Sequence, residues 1–146
     1  NLVIKGEYMT VGIIVDFLWF PIGTDSFLYS FFSTICYRLE HQKWGKKFPV
    51  VMNELYSGSL SCNSIKTCRR EIETIEKKFK RLSSSAVVWS LENLDEKPPW
   101  GEDISEDITN LAEYFITCDG KNLFDVLKAA LKEAEVEQVD VRIEKV

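Results

Sequence analysis

What this 146-residue chain has little of limits its chemistry before any element is placed. It holds one histidine, His41, so a Ser/His or Cys/His couple has a single possible base. That base sits in a lysine-rich helix end, where surface solvation is the plainer role. Gly-x-Gly-x-x-Gly, phosphate-loop and His-Glu-x-x-His patterns are absent, and Gly58-Ser59-Leu60-Ser61 lacks the second glycine of a nucleophile elbow. The four cysteines, Cys36, Cys62, Cys68 and Cys118, show no Cys-x-x-Cys spacing, so a zinc site would need ligands from distant segments. They read as buried free thiols, and neither a metal nor a cofactor is expected. The longest apolar runs, Val11–Phe20 and Phe27–Cys36, are too short to span a bilayer, which argues against a membrane partner. No basic n-region followed by an apolar core opens the chain, so the cytoplasm is the default compartment and a disulfide framework is not expected. The sequence reads as non-enzymatic. An enzyme reading would have to use Cys118 or Asp16, the one carboxylate inside an apolar run. Asp16 fits better a solvent-facing position near a strand end.

What the chain does have is acid, in one place. Residues 92–107 hold seven carboxylates (Glu92, Asp95, Glu96, Glu102, Asp103, Glu106 and Asp107) and one lysine, a local charge of −6. The whole chain carries −5, so the remainder, 17 Lys+Arg against 16 Asp+Glu, is close to neutral. The acidity is a patch, built around Pro98-Pro99-Trp100-Gly101, where two prolines stiffen a non-helical loop. Charge steers encounter and an aromatic anchors it, so the seven carboxylates and Trp100 are the candidate partner-binding residues, suited to a basic protein. The alternative is a solvated loop whose tryptophan folds back onto the core. The acidic balance argues against nucleic acid as the main ligand.

The apolar fraction of 45% and charged fraction of 28% are those of a soluble globular protein. Met9 precedes the first strand pattern, and Lys5-Gly6-Glu7-Tyr8 reads like a translated ribosome-binding site. Residues 1–8 are therefore taken as leader and 9–146 as one domain. Thr10–Pro21 is β-branched and aromatic with almost no polar break, as a strand covered on both faces would be, and Pro21 closes it. Phe27, Leu28, Phe31, Phe32, Ile35 and Leu39 recur at helical spacing and predict a helix over 25–41. Phe48–Tyr56 reads as a short helical segment. Ile65, Cys68, Ile72, Ile75, Phe79 and Leu82 form the clearest apolar stripe of the chain. The other faces of that helix carry seven cations interrupted by Glu71, Glu73 and Glu76, which suits a solvated surface better than an RNA-binding one. Ala86–Leu91 reads as a short strand, 104–115 as holding a short helix, and Leu123–Ala134 as a third long helix. Val139–Glu144 alternates, as a strand with one wet face does. The order of elements predicts an α+β fold: a small, mostly antiparallel sheet with about three main helices packed largely on one face.

Several of these segments taken together resemble a known family. They are Val11-Gly12-Ile13-Ile14-Val15, Ile22-Gly23 with Ser30–Ile35, Lys47–Gly58, Pro98-Pro99-Trp100-Gly101 and Tyr114–Lys121. Their order and spacing resemble the immunity protein 70 family of bacterial polymorphic toxin systems, over about Val11 to Ile143. The resemblance implies a cytoplasmic antidote that binds a cognate toxin C-terminal domain, usually encoded beside it, and blocks it by stoichiometric association. Many such toxins are basic nucleases. The family pattern supplies no catalytic residue to carry over. A second possible interface is the wet face of the C-terminal strand, where an edge could add to a partner's sheet. The runner-up function is a small-ligand or regulatory domain with Tyr56, Trp89 and Tyr114 lining a pocket.

Overall fold

A computed structural model describes residues 10–146; the expected leader at 1–8 lies outside the described residues. The apolar run at the start does not make one strand. It folds into a hairpin, β1 (Val11–Val15) and β2 (Leu18–Gly23), turning through Asp16-Phe17 with Asp16 in the left-handed region at φ 56°. Reading it as a single strand covered on both faces is therefore corrected: Phe17, at the turn, is 96% exposed. An Asp tolerates the left-handed conformation, and that one residue reverses the chain. Asp16 is itself exposed, as the strand-end reading requires.

β4 (Val141–Lys145) pairs antiparallel with β1, and the two-residue β3 (Ser59–Leu60) pairs with β4, giving the antiparallel order β2-β1-β4-β3. The strand period of two assigns the faces. Ile13, Val15, Ile22 and Val141 point into the core; Trp19 and Arg142 lie on the other, open face. Gly12 is required on that face. A Cβ there would sit 2.4 Å from the Trp19 ring and 2.8 Å from the Phe20 carbonyl oxygen.

Three 15-residue helices build the other layer: α1 (Asp25–Leu39) and α4 (Leu123–Glu137) pack against the sheet, and α2 (Ile65–Phe79) packs against α4 and the 50–55 turn. The α+β expectation holds. Thr24 caps α1 by accepting the Phe27 N–H at 3.1 Å, and Asn122 caps α4 by accepting from Phe124 and Asp125. α1 is buried on nearly all sides from Ser30 to Cys36 and forms the axis of the core. Phe31 at its centre meets Phe115 and Phe124 edge-on, each at 5.4 Å between centroids. The stripe on α2 is buried as predicted, from Ile65 through Phe79.

The Phe48–Tyr56 segment is helical, as a wide π turn (Val50–Leu55) with Tyr56 N–H reaching back to the Val51 carbonyl at 3.1 Å. The strand expected at Ala86–Leu91 is absent. A 3₁₀ turn (Ser84–Ala86) leads into irregular chain, because the Val88 backbone finds its partners on a helix. Thr34 Oγ1 accepts the Val88 N–H at 3.0 Å, and the Ser30 hydroxyl donates to the Val88 carbonyl at 2.8 Å. The short helix α3 (Leu111–Tyr114) lies within the predicted span. The cysteine reading is half corrected: Cys36 and Cys68 are buried, but Cys62 and Cys118 are exposed. All four are free, and burial pushes the Cys68 thiol up to about 12.

Candidate functional site

The acidic segment belongs to one long connection, from Val87 to Asn110, with no regular secondary structure beyond successive turns. Both ends are fixed to the core. At the start, Val88 is held by Ser30 and Thr34, the Arg38 Nε–H donates to the Ala86 carbonyl at 2.8 Å, and Trp89 is buried. At the end, Leu111 N–H donates to the Leu82 carbonyl and Ile108 tucks against the core. Between them the turns are locally bonded. The Asn93 side chain accepts the Asp95 N–H at 3.1 Å, and Gly101 N–H donates to the Pro98 carbonyl at 2.8 Å. Gly101 takes φ 61°, which closes the Pro-Pro-Trp-Gly turn.

Trp100 does part of what each reading expected. Its ring stands edge-on against Trp89 at 5.4 Å between centroids, and its indole N–H donates to the Tyr114 hydroxyl at 2.8 Å. It remains 38% exposed. The ring therefore has a fixed inner side and an outward surface, and burial raises the Tyr114 phenol above its ordinary range.

All seven carboxylates are exposed, and none joins an ion pair among the described residues. The fold divides them. Glu96 and Glu102 rim a hollow of about 220 Å³ floored by Trp89, Pro98 and Tyr114. Asp103 borders a second hollow of similar size against Trp100 and Phe27. Glu92 faces a larger cleft of about 650 Å³ with Tyr29 and Tyr56, and accepts the Tyr29 hydroxyl at 3.0 Å. Asp95, Glu106 and Asp107 line none of the three.

The aromatic pocket of the ligand-binding alternative is corrected by this division. Trp89 and Tyr114 share the small hollow, while Tyr56 lines the cleft and packs against Phe32 and Trp44 at centroid distances of 4.9 and 4.8 Å. Among the described residues no group of three or more His, Cys, Asp or Glu is placed to hold a metal. His41 is exposed, and no helix among the described residues is long and apolar enough to cross a membrane.

Two carboxylates escaped the sequence reading. Glu40, just past α1, is 1% exposed and accepts the N–H groups of Gly45, Lys47 and Phe48, each at 3.0 Å. Glu71 interrupts the basic face of α2 in sequence; its carboxylate accepts the Val51 N–H at 2.8 Å and caps the π turn. Desolvation raises its pKa, against the lowering effect of those bonds.

Comparison with curated proteins and with solved structures found no match. Comparison with protein-family models found one described as Immunity protein 70, matching residues 13–143. The match takes in all three long helices, the acidic connection and most of the sheet, and the chain belongs to the immunity protein 70 family.

Proposed function

We propose that this immunity protein neutralises a cognate toxin domain by one-to-one association, with the 92–107 connection as the principal contact. The observation that carries the reading is the state of the seven carboxylates. They are exposed and without cationic partners among the described residues, on a loop whose two ends are pinned to the core. A preorganised anionic surface meets a basic partner quickly and spends little ordering entropy on doing so. The exposed side of Trp100 supplies the apolar contact at its centre. A toxin that uses cations to hold an anionic substrate, as a nuclease does, presents the complementary groups, and their occupation would exclude the substrate. Nothing catalytic is asked of this chain.

Co-expression with the toxin-like product encoded beside it, followed by the dissociation constant at low and high salt, tests the reading. The expected result is a one-to-one complex that silences the toxin and weakens by about tenfold or more as salt rises. Tight binding indifferent to salt would move the contact off the acidic loop. Failure to bind would end the immunity mechanism proposed here.

A further inference from the structure

The sheet is unfinished on one side. β3 pairs only Ser59 with Arg142 and Leu60 with Val141, and one more bond runs from the Ile143 N–H to the Gly58 carbonyl at 3.0 Å. β4 then continues to Lys145, held among the described residues by β1 on its other side alone. Backbone groups of alternate residues in an antiparallel strand point the same way, so the Lys145 amide and carbonyl face the side that Ile143 N–H faces. No backbone partner meets them among the described residues.

That free edge borders the 650 Å³ cleft. The first turns of α1 (Asp25, Leu28, Tyr29) form one wall, and the Tyr56–Gly58 turn forms the other. Two carboxylates face its interior, Asp25 and Glu92, with the ammonium of Lys145; Glu144 also borders it, but its carboxylate pairs with Arg142 on the open face of the sheet. Lys145 is paired with Asp25, which leaves the Glu92 carboxylate with only the Tyr29 hydroxyl among the described residues. Glu92 is also the first carboxylate of the acidic connection, so cleft and loop form one continuous surface.

We infer that this cleft takes an extended, lysine- or arginine-bearing segment of the toxin as an added strand on the free edge of β4. The identity of that partner rests on the function proposed above. A second copy of this chain is the poorer occupant, because a symmetric pairing would set two anionic clefts against each other. An added strand draws affinity from main-chain bonds and selectivity from alternate side chains, here apolar toward Leu28 and Ile143 and cationic toward Glu92.

The test uses the full chain and a probe in place of the toxin: a fluorescently labelled, end-blocked hexapeptide of alternating lysine and valine. A glutamate–valine counterpart and a lysine–valine peptide N-methylated at alternate amides serve as comparisons. The expected result is saturable binding of the lysine–valine peptide about tenfold or more tighter than either comparison. Lys145→Pro removes the free strand amide without a ladder bond to β1, and adds net negative charge to the cleft. It is expected to weaken the probe by about fivefold or more while the melting temperature holds. Equal binding of the N-methylated peptide, or amide NMR shifts confined to residues 95–107, would overturn the inference. Toxin binding is read separately. A toxin that binds while the probe does not removes the added strand and keeps the immunity mechanism; the reverse result keeps the cleft and removes its proposed partner.

Discussion

Glu40 carries more of this structure than its place in the sequence suggests. It follows a helix, where a carboxylate opposes the negative end of the helix dipole, and it is 1% exposed with no ion pair among the described residues. Three backbone N–H groups from the Gly45–Phe48 stretch offset both costs by closing on its two oxygens. That closure holds the basic 43–47 loop and places Phe48, 5% exposed, at the entrance to the π turn. Glu40→Ala would leave three buried or half-buried donors unmet and is expected to cost about 3 kcal/mol of unfolding free energy. Glu40→Gln keeps one oxygen acceptor and should cost less. Urea unfolding with an unchanged denaturant slope measures both, and equal stability of Glu40→Ala and the wild type would show that water replaces the carboxylate. Sequence could not reveal this role, since a glutamate after a helix is ordinarily a solvated residue and its partners lie five to eight positions downstream.

The elements show where sequence suffices and where it fails. The stripe on α2 and the alternation in β4 survive into the structure because each has one buried face, and a period of 3.6 or 2 records that directly. The hairpin at Asp16-Phe17 was hidden because Phe17 and Leu18 continue the apolar run through the turn, and only Asp16 marks the reversal. The missing strand at Ala86–Leu91 was hidden for another reason: hydroxyls of α1, some 54 residues earlier, take the bonds that a neighbouring strand would have made. The junction of α2 with the π turn is likewise tertiary. Glu71 accepts the Val51 N–H, yet desolvation leads and lifts its carboxyl above the ordinary value of 4.5. A raised acid favours the folded state most while protonated. Its contribution is therefore present below the ordinary value and lost as pH rises through the folded one. Glu71→Gln keeps an acceptor for Val51 and removes the titration. Wild-type stability relative to Glu71→Gln is expected to fall as pH climbs above 4.5, then level off. Unfolding midpoints of both proteins across that window check this, and a wild type that gains on the variant with rising pH would reverse the sign.

On the scale of the whole molecule, charge is separated from structure. The core is apolar and aromatic, most ion pairs among the described residues lie on helix and strand surfaces, and nearly all the excess negative charge sits on one loop. The candidate loop was legible in sequence because charge clustering needs no fold to be seen. Its division among three hollows was not, since it depends on which side chains Trp89 and Tyr114 meet. Steering and holding should then separate by residue. Glu102→Lys with Asp103→Lys changes the 92–107 charge from −6 to −2 and is expected to slow toxin association about tenfold at low salt, with dissociation changed less. Near molar salt, where screening acts within about 3 Å, that difference should disappear. Trp100→Ala should act on dissociation, by about 2 kcal/mol. Because Trp100 also supports Trp89 and Tyr114, Trp100→Phe is the necessary companion: it keeps a ring against Trp89 and loses the bond to Tyr114. If Phe restores residence time and Ala does not, the ring surface is the anchor. If stopped-flow traces of both charge and ring variants match the wild type, the toxin docks away from this loop, and the free edge of β4 becomes the surface to examine.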